Sequence, residues 1–181
     1  MEILSSKLDL KKEMGDSQIA IVVMSGADYN DAVVNIAKQL SSSNLGYVTL
    51  NKTYSAMKDL FEKKGISSEK ILYVDAISKT VMNVPDQTDG CYYVSSPAAM
   101  TELSMAISKL LNHNFDYIIF DSVTNLLVYE KKEPVIKFMQ FLINKIRASK
   151  TKAVFYALKM GEQQDIVQQV EMFVDKVIEL K

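Results

Sequence analysis

An aspartate follows a strongly hydrophobic segment, Phe115–Phe120 (FDYIIF), at a position where it could hold Mg²⁺. Asp121 and Ser122 come directly after this segment. Several apolar residues and a terminal aspartate form the Walker B pattern, in which a carboxylate at the end of a strand binds Mg²⁺ through water. An aspartate that only caps the next turn has the same pattern. The residues therefore predict a polar site at this strand end and leave its chemistry open.

A glycine turn that could cradle phosphates follows another apolar segment, Ile19–Ser25. Gly26 and the predicted helix Asp28–Leu40 complete the strand, glycine and helix arrangement in which G-x-x-x-x-G-K-[ST] binds nucleotide phosphates. With Gly26 as the first glycine, the lysine of the motif falls on Ala32 and its hydroxyl residue on Val33. The two side chains that would reach the phosphates and Mg²⁺ are therefore replaced by apolar ones.

Carboxylates stand at the start of this predicted helix. Asp28 and Asp31 bring two negative charges to a helix N-terminus, which favours an anion through its dipole and its free N–H groups. As the predicted N-cap, Asp28 would occupy donors that a phosphate needs. We therefore expect no tight binding of ATP or Mg²⁺ and predict no cofactor, no metal site and no catalytic residue. The vestigial nucleotide site would consist of Gly26, Asp28, Asn30, Asp31, Asp121 and Ser122.

Apolar strand-like segments alternate with amphipathic helix-like segments through most of the chain. The predicted strands are Ile19–Ser25, Tyr47–Leu50, Lys70–Val74, a strand from Tyr93, Phe115–Phe120, Lys152–Leu158 and Lys176–Leu180. The predicted helices are Asp28–Leu40, Tyr54–Lys64, a helix from Ser96 to about Leu111, Pro134–Lys150 and Gln163–Phe173. Continuous apolar strands are typical of a parallel sheet that is buried on both faces. The predicted fold class is α/β, with three α/β/α layers around a mainly parallel sheet.

Four segments are less regular. Residues 1–18 are polar and mixed, and residues 75–92 lack clear periodicity, so we interpret the latter as a long excursion, either an ordered lid or a loose loop. Ser96 is predicted to cap the following helix with Pro97 at its first position. Residues 129–132 (YEKK) are interpreted as a solvated loop.

Composition limits the class of protein. The length of 181 residues suits one domain, 1–181, with a substantial core. The formal net charge of −1 argues against general attraction to nucleic acid. The single cysteine, Cys91, excludes an internal disulfide, and neither a secretory leader nor a membrane span is predicted. We expect a cytoplasmic protein.

The predicted helix Pro134–Lys150 is the best candidate for an interaction surface. Its apolar residues spread well past one face, which indicates either burial or docking on a partner. Burial within the chain itself is the alternative explanation. The candidate interaction residues are Val135, Phe138, Met139, Phe141 and Leu142.

Several segments follow one another in the order found in one known family. They are GYVTLN, ILYVDA, VSSPAAMTELSMAISKLL, FDYIIFDSVTNLLVYE and MFVDKVIELK. On these segments the chain resembles the RecA/KaiC-like ATPases, especially the short archaeal KaiC-like proteins, over roughly residues 19–181. The resemblance implies a RecA-like fold, an ATP site, a glutamate base after the second strand, and oligomeric or regulatory roles.

The resemblance weakens at the positions that carry the chemistry. Asp121 and Ser122 match the Walker B pair of the family, and Gly26 matches its first phosphate-loop glycine. The glutamate base falls on Asn51 and Lys52, and neither an amide nor a protonated amine can accept a proton. The chain is therefore expected to be a KaiC-like domain that no longer hydrolyses ATP.

Three functions remain compatible with the sequence. We favour an inactive KaiC-like domain with a regulatory, signalling or scaffolding role, bound to a protein partner or to copies of itself. The second is a small-ligand or nucleotide-sensing module whose sheet-edge cleft is rich in carboxylates and free of lysine. The third is a weak ATPase in which Lys52 replaces the lost lysine.

Overall fold

The computed structural model describes residues 2–159, 161 and 164–181. The strands of this part are β1 (Glu2–Ile3), β2 (Ile19–Met24), β3 (Leu45–Thr49), β4 (Ile71–Asp75), β5 (Gln87–Thr88), β6 (Cys91–Tyr93), β7 (Tyr117–Asp121), β8 (Lys152–Leu158) and β9 (Lys176–Leu180). The α-helices are α1 (Leu10–Met14), α2 (Tyr29–Gln39), α3 (Tyr54–Lys63), α4 (Ser78–Val81), α5 (Met100–Asn112), α6 (Val123–Tyr129), α7 (Lys132–Arg147) and α8 (Gln164–Glu171). A turn of 3-10 helix spans Ser5–Lys7.

These strands form one sheet in the order β1-β9-β2-β8-β7-β3-β4-β6-β5. Every neighbouring pair is parallel except β5 and β6. The carboxyl ends of β2, β8, β7 and β3 therefore meet at one edge, with Met24 level with Leu158 and Thr49 level with Asp121. In open parallel sheets this edge is where ligands bind.

Two apolar layers cover the sheet. One layer packs residues of α1, α2 and α3 against one face, with Ile36 and Phe61 fully buried. The other packs α5, α6, α7 and α8 against the opposite face, with Leu110 and Leu142 fully buried. Successive residues of β2 alternate between the two layers, which explains why the whole strand is apolar.

The predicted fold class is confirmed. The sheet is mainly parallel and has helices on both faces. Strands β8 and β9 have the predicted bounds, and β2, β3, β4 and β7 lie within one or two residues of theirs. Helix α8 begins at Gln164, while Gln163, where the predicted helix begins, lies outside the described residues, as does Met1.

The excursion 75–92 contains regular secondary structure that the sequence did not predict. It contains the helix α4 and the strands β5 and β6, which form an antiparallel pair that extends the sheet. The carboxylate of Asp75, fully buried, accepts bonds from the backbone N–H of Tyr54 (2.7 Å), Ile77 (2.7 Å) and Ser78 (2.9 Å), and from the Ser78 hydroxyl. This buried aspartate fixes the first turn of the segment.

Two predicted helix starts are wrong. Helix α5 begins at Met100, because Ser96 and Pro97 form a turn in which the Ser96 carbonyl accepts the Ala99 N–H (3.1 Å). Helix α7 begins at Lys132 rather than at Pro134, so the predicted loop 129–132 is reduced to Glu130 and Lys131. Helix α6, which directly follows Ser122, was not predicted. No helix in the described part of the chain has both the length and the apolar character of a membrane span.

The first residues are also part of the fold. Strand β1 pairs in parallel with β9, and Asp9 caps α1 by accepting the Lys12 N–H (3.1 Å). Leu10 and Met14 of this helix are buried in the layer that contains α2.

Candidate functional site

Asp121 lies at the carboxyl end of β7, in the centre of the sheet edge, and is fully buried. Its Oδ2 accepts hydrogen bonds from two phenols, the Tyr47 hydroxyl of β3 (2.6 Å) and the Tyr29 hydroxyl of α2. Tyr29 is itself 8% exposed and so covers the carboxylate from the solvent side. The carboxylate at the Walker B position is therefore enclosed by aromatic side chains.

The second oxygen of the same carboxylate has a different environment. Asp121 Oδ1 has no hydrogen-bond partner among the described residues, and neither does the buried hydroxyl of Tyr156 on the neighbouring strand β8. Phe120 is level with Phe155, so the next pair, Asp121 and Tyr156, lies side by side on the same face of the sheet. The cluster thus combines two satisfied phenols with two unsatisfied buried oxygens.

Burial controls the charge state of this cluster. Removal from water raises the pKa of Asp121 to about 6, although the bonds from Tyr29 and Tyr47 and the charge of Lys52 oppose the shift. Burial, followed by the nearby Asp121 charge, also raises the pKa of all three tyrosines well above 10. The phenols therefore remain donors, and the carboxyl group is the only member of the cluster that titrates near neutral pH.

The turn between β2 and α2 is short and closes on itself. Only four residues, 25–28, separate Met24 from Tyr29. Asp28 occupies the N-cap position, as predicted, but its side chain caps no helix N–H. It accepts instead the hydroxyl of Ser25 (2.5 Å), while the Asp28 N–H points back to Ser25 (3.2 Å). The predicted capping bond is therefore wrong, and the carboxylate holds the turn together.

The positions of the phosphate-binding lysine and hydroxyl residue lie in the core. Helix α2 begins at Tyr29, so Asp31, Ala32 and Val33 already belong to its first turns. Ala32 and Val33 are fully buried in the layer against the sheet, whereas Asp31 is exposed. A longer side chain at either buried position would enter the core rather than reach a ligand at the sheet edge.

Lys52 reaches the mouth of the site from the end of β3. Its Nζ donates to Asn30 Oδ1 (3.0 Å) and lies 5.5 Å from the centre of the Tyr29 ring. Asn51 donates from Nδ2 to the Tyr29 hydroxyl (3.0 Å). The cleft predicted to be free of lysine therefore has a cation at its mouth, and its carboxylates do not line one surface because Asp121 lies behind Tyr29.

Ser122 acts as a helix cap. Its hydroxyl accepts the Asn125 N–H (3.3 Å) at the start of α6 and lies 2.9 Å from the Thr124 hydroxyl. The alternative to metal binding was that Asp121 caps the next turn, but this role falls to Ser122, while Asp121 accepts the Tyr29 and Tyr47 hydroxyls. Gly26 is exposed, and a Cβ atom at this position would have no neighbour within 4 Å, so no close backbone approach requires a glycine there.

The structure brings some predicted residues together and separates others. Asn30 contacts the Tyr29–Asp121 cluster through Lys52, whereas Asp28 is bonded to Ser25 and Asp31 is exposed. The sequence reasoning missed the three tyrosines. Tyr47 lies in β3 and Tyr156 in β8, and both side chains pack in the same apolar layer as α2. A phenol inside a largely apolar strand is the signal that could have identified them. Among the described residues, no three carboxylate, imidazole or thiol groups come together to hold a metal ion.

Four of the five candidate interaction residues are part of the core. Val135, Met139 and Leu142 are fully buried against the sheet and Phe138 is 7% exposed, so the burial alternative describes them. Phe141 is different, with 56% of its surface exposed. A partner surface on α7 must therefore be built around Phe141 and its outer neighbours.

Comparison with known proteins places the chain in a family. Residues 48–180 match a family of unknown function, DUF7504. The chain belongs to that family. The part that matches the DUF7504 family begins within β3 and includes Asp121 and Ser122, but not the turn between β2 and α2. No curated protein matches the sequence.

Solved structures resemble this DUF7504 chain in fold. A KaiC-like protein from the hyperthermophilic archaeon Pyrococcus horikoshii superposes with a TM-score of 0.64 at 11% identity, over 99% of this chain and 80% of the other. An uncharacterized protein from Pyrococcus horikoshii, crystallised in complex with an unknown peptide, gives 0.69 at 11% identity, over 98% and 84%. The likeness shows a KaiC-like fold.

Proposed function

We propose that this chain is a KaiC-like domain without ATPase activity that acts through contacts with proteins. The observation that carries the proposal is the enclosure of Asp121. Its carboxylate is fully buried and bonded to Tyr29 and Tyr47, where an ATPase of this fold needs an accessible carboxylate for Mg²⁺. Displacing two phenols would be required before a hydrated metal ion could enter.

The phosphate side of the site supports the same proposal. The turn 25–28 has too few residues to wrap phosphates as G-x-x-x-x-G-K-[ST] does, and Ala32 and Val33 lie in the core. Within the described chain, the cation that reaches this mouth from the end of β3 is Lys52. Its Nζ donates a hydrogen bond to Asn30. One lysine without a loop of N–H donors is a weak phosphate site.

A role in protein contacts is supported by what remains of the molecule. The chain has a continuous sheet with an apolar layer packed on each face, although the carboxylate at the sheet edge is enclosed. One protein of similar fold was crystallised with a peptide. A domain that keeps its scaffold and loses its site is suited to regulation or scaffolding.

Calorimetric titration with ATP and ADP, each with and without Mg²⁺, tests the proposal. We expect no binding heat at millimolar nucleotide and no ATP turnover above background. Micromolar affinity that requires Mg²⁺ and is lost in Asp121→Asn would contradict it. The variant Lys52→Ala tests the other two functions. Nucleotide binding that depends on Lys52 and not on Asp121 would indicate the unconventional ATPase or a nucleotide sensor.

A further inference from the structure

Helix α7 presents a large apolar side chain that the fold leaves exposed, Phe141, with 56% of its surface accessible. Helices α5 and α7 lead into the neighbouring parallel strands β7 and β8, so they run in the same direction side by side. Met105 of α5 is also exposed, but it lines a separate hollow together with Tyr92, Glu102 and Lys109. The apolar part of a contact surface between α5 and α7 therefore rests on Phe141.

A polar cleft lies next to Phe141. It has a volume of about 510 Å³ and lies between the last turns of α5 and α7. Ser108 and Asn112 of α5 line it, and so does Lys145 of α7, four residues after Phe141. Because residues four apart lie on one helix face, Phe141 stands one turn before Lys145 at the end of the cleft. The cleft and Phe141 together are called the α5–α7 groove.

The charge of the groove is positive. The polar residues lining the cleft are Ser108, Asn112, Asn114, Lys145, Ser149 and Lys150. No carboxylate belongs to this lining in the part of the chain that the structure describes, and neither lysine forms an ion pair there. Asp116, in the adjoining hollow, already accepts the Asn44 N–H (2.8 Å). The two lysines therefore give this lining a positive charge, although the chain as a whole carries a net charge of −1.

Lys145 joins the apolar and the charged parts of the groove. Its Nζ lies 5.5 Å from the centre of the Phe141 ring, so the aromatic face and the cation occupy one surface. A partner that contacts both needs an apolar side chain and, about one helical turn away, an anionic group. The serine and asparagine side chains of the cleft offer further hydrogen bonds of the kind that an extended or helical peptide uses.

We propose that the α5–α7 groove binds an acidic segment of a partner protein, with an apolar residue against Phe141 and carboxylates against Lys145 and Lys150. The proposal rests on the proposed function for the choice of a protein partner. A second copy of the chain joined by a two-fold axis would bring like charges together at this face, which opposes pairing. A concave cleft suits a peptide better than a flat anionic membrane.

Selection of peptides from a random displayed library on the immobilised full chain tests this inference. Enriched peptides are synthesised, labelled and titrated by fluorescence anisotropy against the unmodified chain and three variants. Lys145→Glu and Phe141→Asp alter the groove at exposed or half-exposed positions that the core does not need. Lys38→Glu is the matched control, because it makes the same charge change on the exposed face of α2, on the other side of the sheet.

We expect enriched peptides that combine acidic and apolar residues, and about a tenfold loss of affinity in each groove variant with little change in Lys38→Glu. Failure to enrich such peptides, or binding that is insensitive to Lys145→Glu, would overturn the inference. It would also be overturned by a dimer that Phe141→Asp dissociates, or by co-sedimentation with phosphatidylserine vesicles that Lys145→Glu abolishes. A silent nucleotide titration alongside a failed selection would reject the groove and leave the proposed function standing.

Discussion

At the scale of single residues, the central feature is a carboxylate that is held by phenols. Asp121 Oδ2 accepts both the Tyr29 and the Tyr47 hydroxyl, while Oδ1 faces no donor among the described residues. A buried charge is tolerated only when it is well paired, and here the pairing is one-sided. The residue therefore resembles a structural group with an energetic penalty more than a metal ligand that waits for its ion.

The stability of the variant Asp121→Asn relative to the unmodified chain should increase as the pH rises. The folded pKa of Asp121, about 6, exceeds the unfolded value of 3.8, so between about pH 4 and 6 the folded chain keeps a proton that the unfolded chain has released. Raising the pH through this window lowers the free energy of unfolding by about 3 kcal/mol. Because asparagine does not titrate, the stability of the variant relative to the unmodified chain should rise by about that amount, measured by urea unfolding from pH 4 to 7.

Asp75→Asn is the matched control for this experiment. Its carboxylate is equally buried but accepts three backbone N–H groups and the Ser78 hydroxyl. An amide nitrogen placed among these donors loses bonds, so we expect a loss of about 2 kcal/mol or more at pH 7. A relative stability of Asp121→Asn that stays constant across the pH range would show that the carboxyl group does not titrate in this window.

The tyrosines of the cluster should respond differently to removal of the hydroxyl. Tyr47→Phe removes a donor to the carboxylate and should lower the free energy of unfolding at pH 7 by about 1 to 3 kcal/mol. Tyr156→Phe removes a buried hydroxyl without a partner in the described chain and should be neutral or stabilising. Chemical unfolding of both variants checks the contrast, and equal losses would mean that the Tyr156 hydroxyl has a partner, such as an internal water.

The sequence predicted where the site lies better than it predicted which side chains form it. The apolar run before Asp121 and the missing phosphate-loop lysine could both be read in the sequence. The enclosure could not, since it depends on Tyr29, Tyr47 and Tyr156 arriving from three separate elements at one carboxylate. Short sequence patterns do not reveal contacts between residues that are far apart in the chain.

At the scale of elements, long periodic segments were predictable and short ones were not. Strand β8 agrees with the sequence interpretation because its apolar run has clear polar ends, and β9 agrees because its buried residues alternate with exposed ones. The short helices α4 and α6 escaped it, because four to seven residues do not show a helical period. Pro97 directly after Ser96 suggested a helix start where the chain makes a turn instead.

Ser96, which the sequence predicted as a helix cap, and Ser122, which caps a helix in the structure, should differ in experiment. Ser122 accepts the Asn125 N–H and is fully buried, so Ser122→Ala should reduce the free energy of unfolding by about 1 kcal/mol or more. Ser96 lies in a turn four residues before α5 and its side chain caps no helix, so Ser96→Ala should change stability little. Thermal unfolding of both variants decides, and a larger loss at Ser96 would contradict the observed start of α5.

At the scale of the whole molecule, one sheet connects both apolar layers and both ends of the described chain. The central strands β2, β8, β7 and β3 are covered on both faces, whereas β5 and β6 form an edge beyond β4. Fold class followed from the sequence because burial on two faces requires apolar strands throughout. The order of the strands did not, since it is decided by packing between distant segments.

This arrangement predicts how protection from hydrogen exchange is distributed. Amides of β7 and β8 lie in the middle of the sheet under buried side chains, so they should exchange only through global unfolding. Residues 82–90 are mostly exposed and lie at the sheet edge, so their amides should exchange through local opening and much faster. Hydrogen–deuterium exchange with mass spectrometry measures both sets, and the Ile77 and Ser78 amides, bonded to buried Asp75, serve as an internal comparison with intermediate protection. Equal protection of residues 82–90 and β8 would mean that the excursion unfolds with the core, and that the carboxylate of Asp75 anchors the whole segment rather than its first turn.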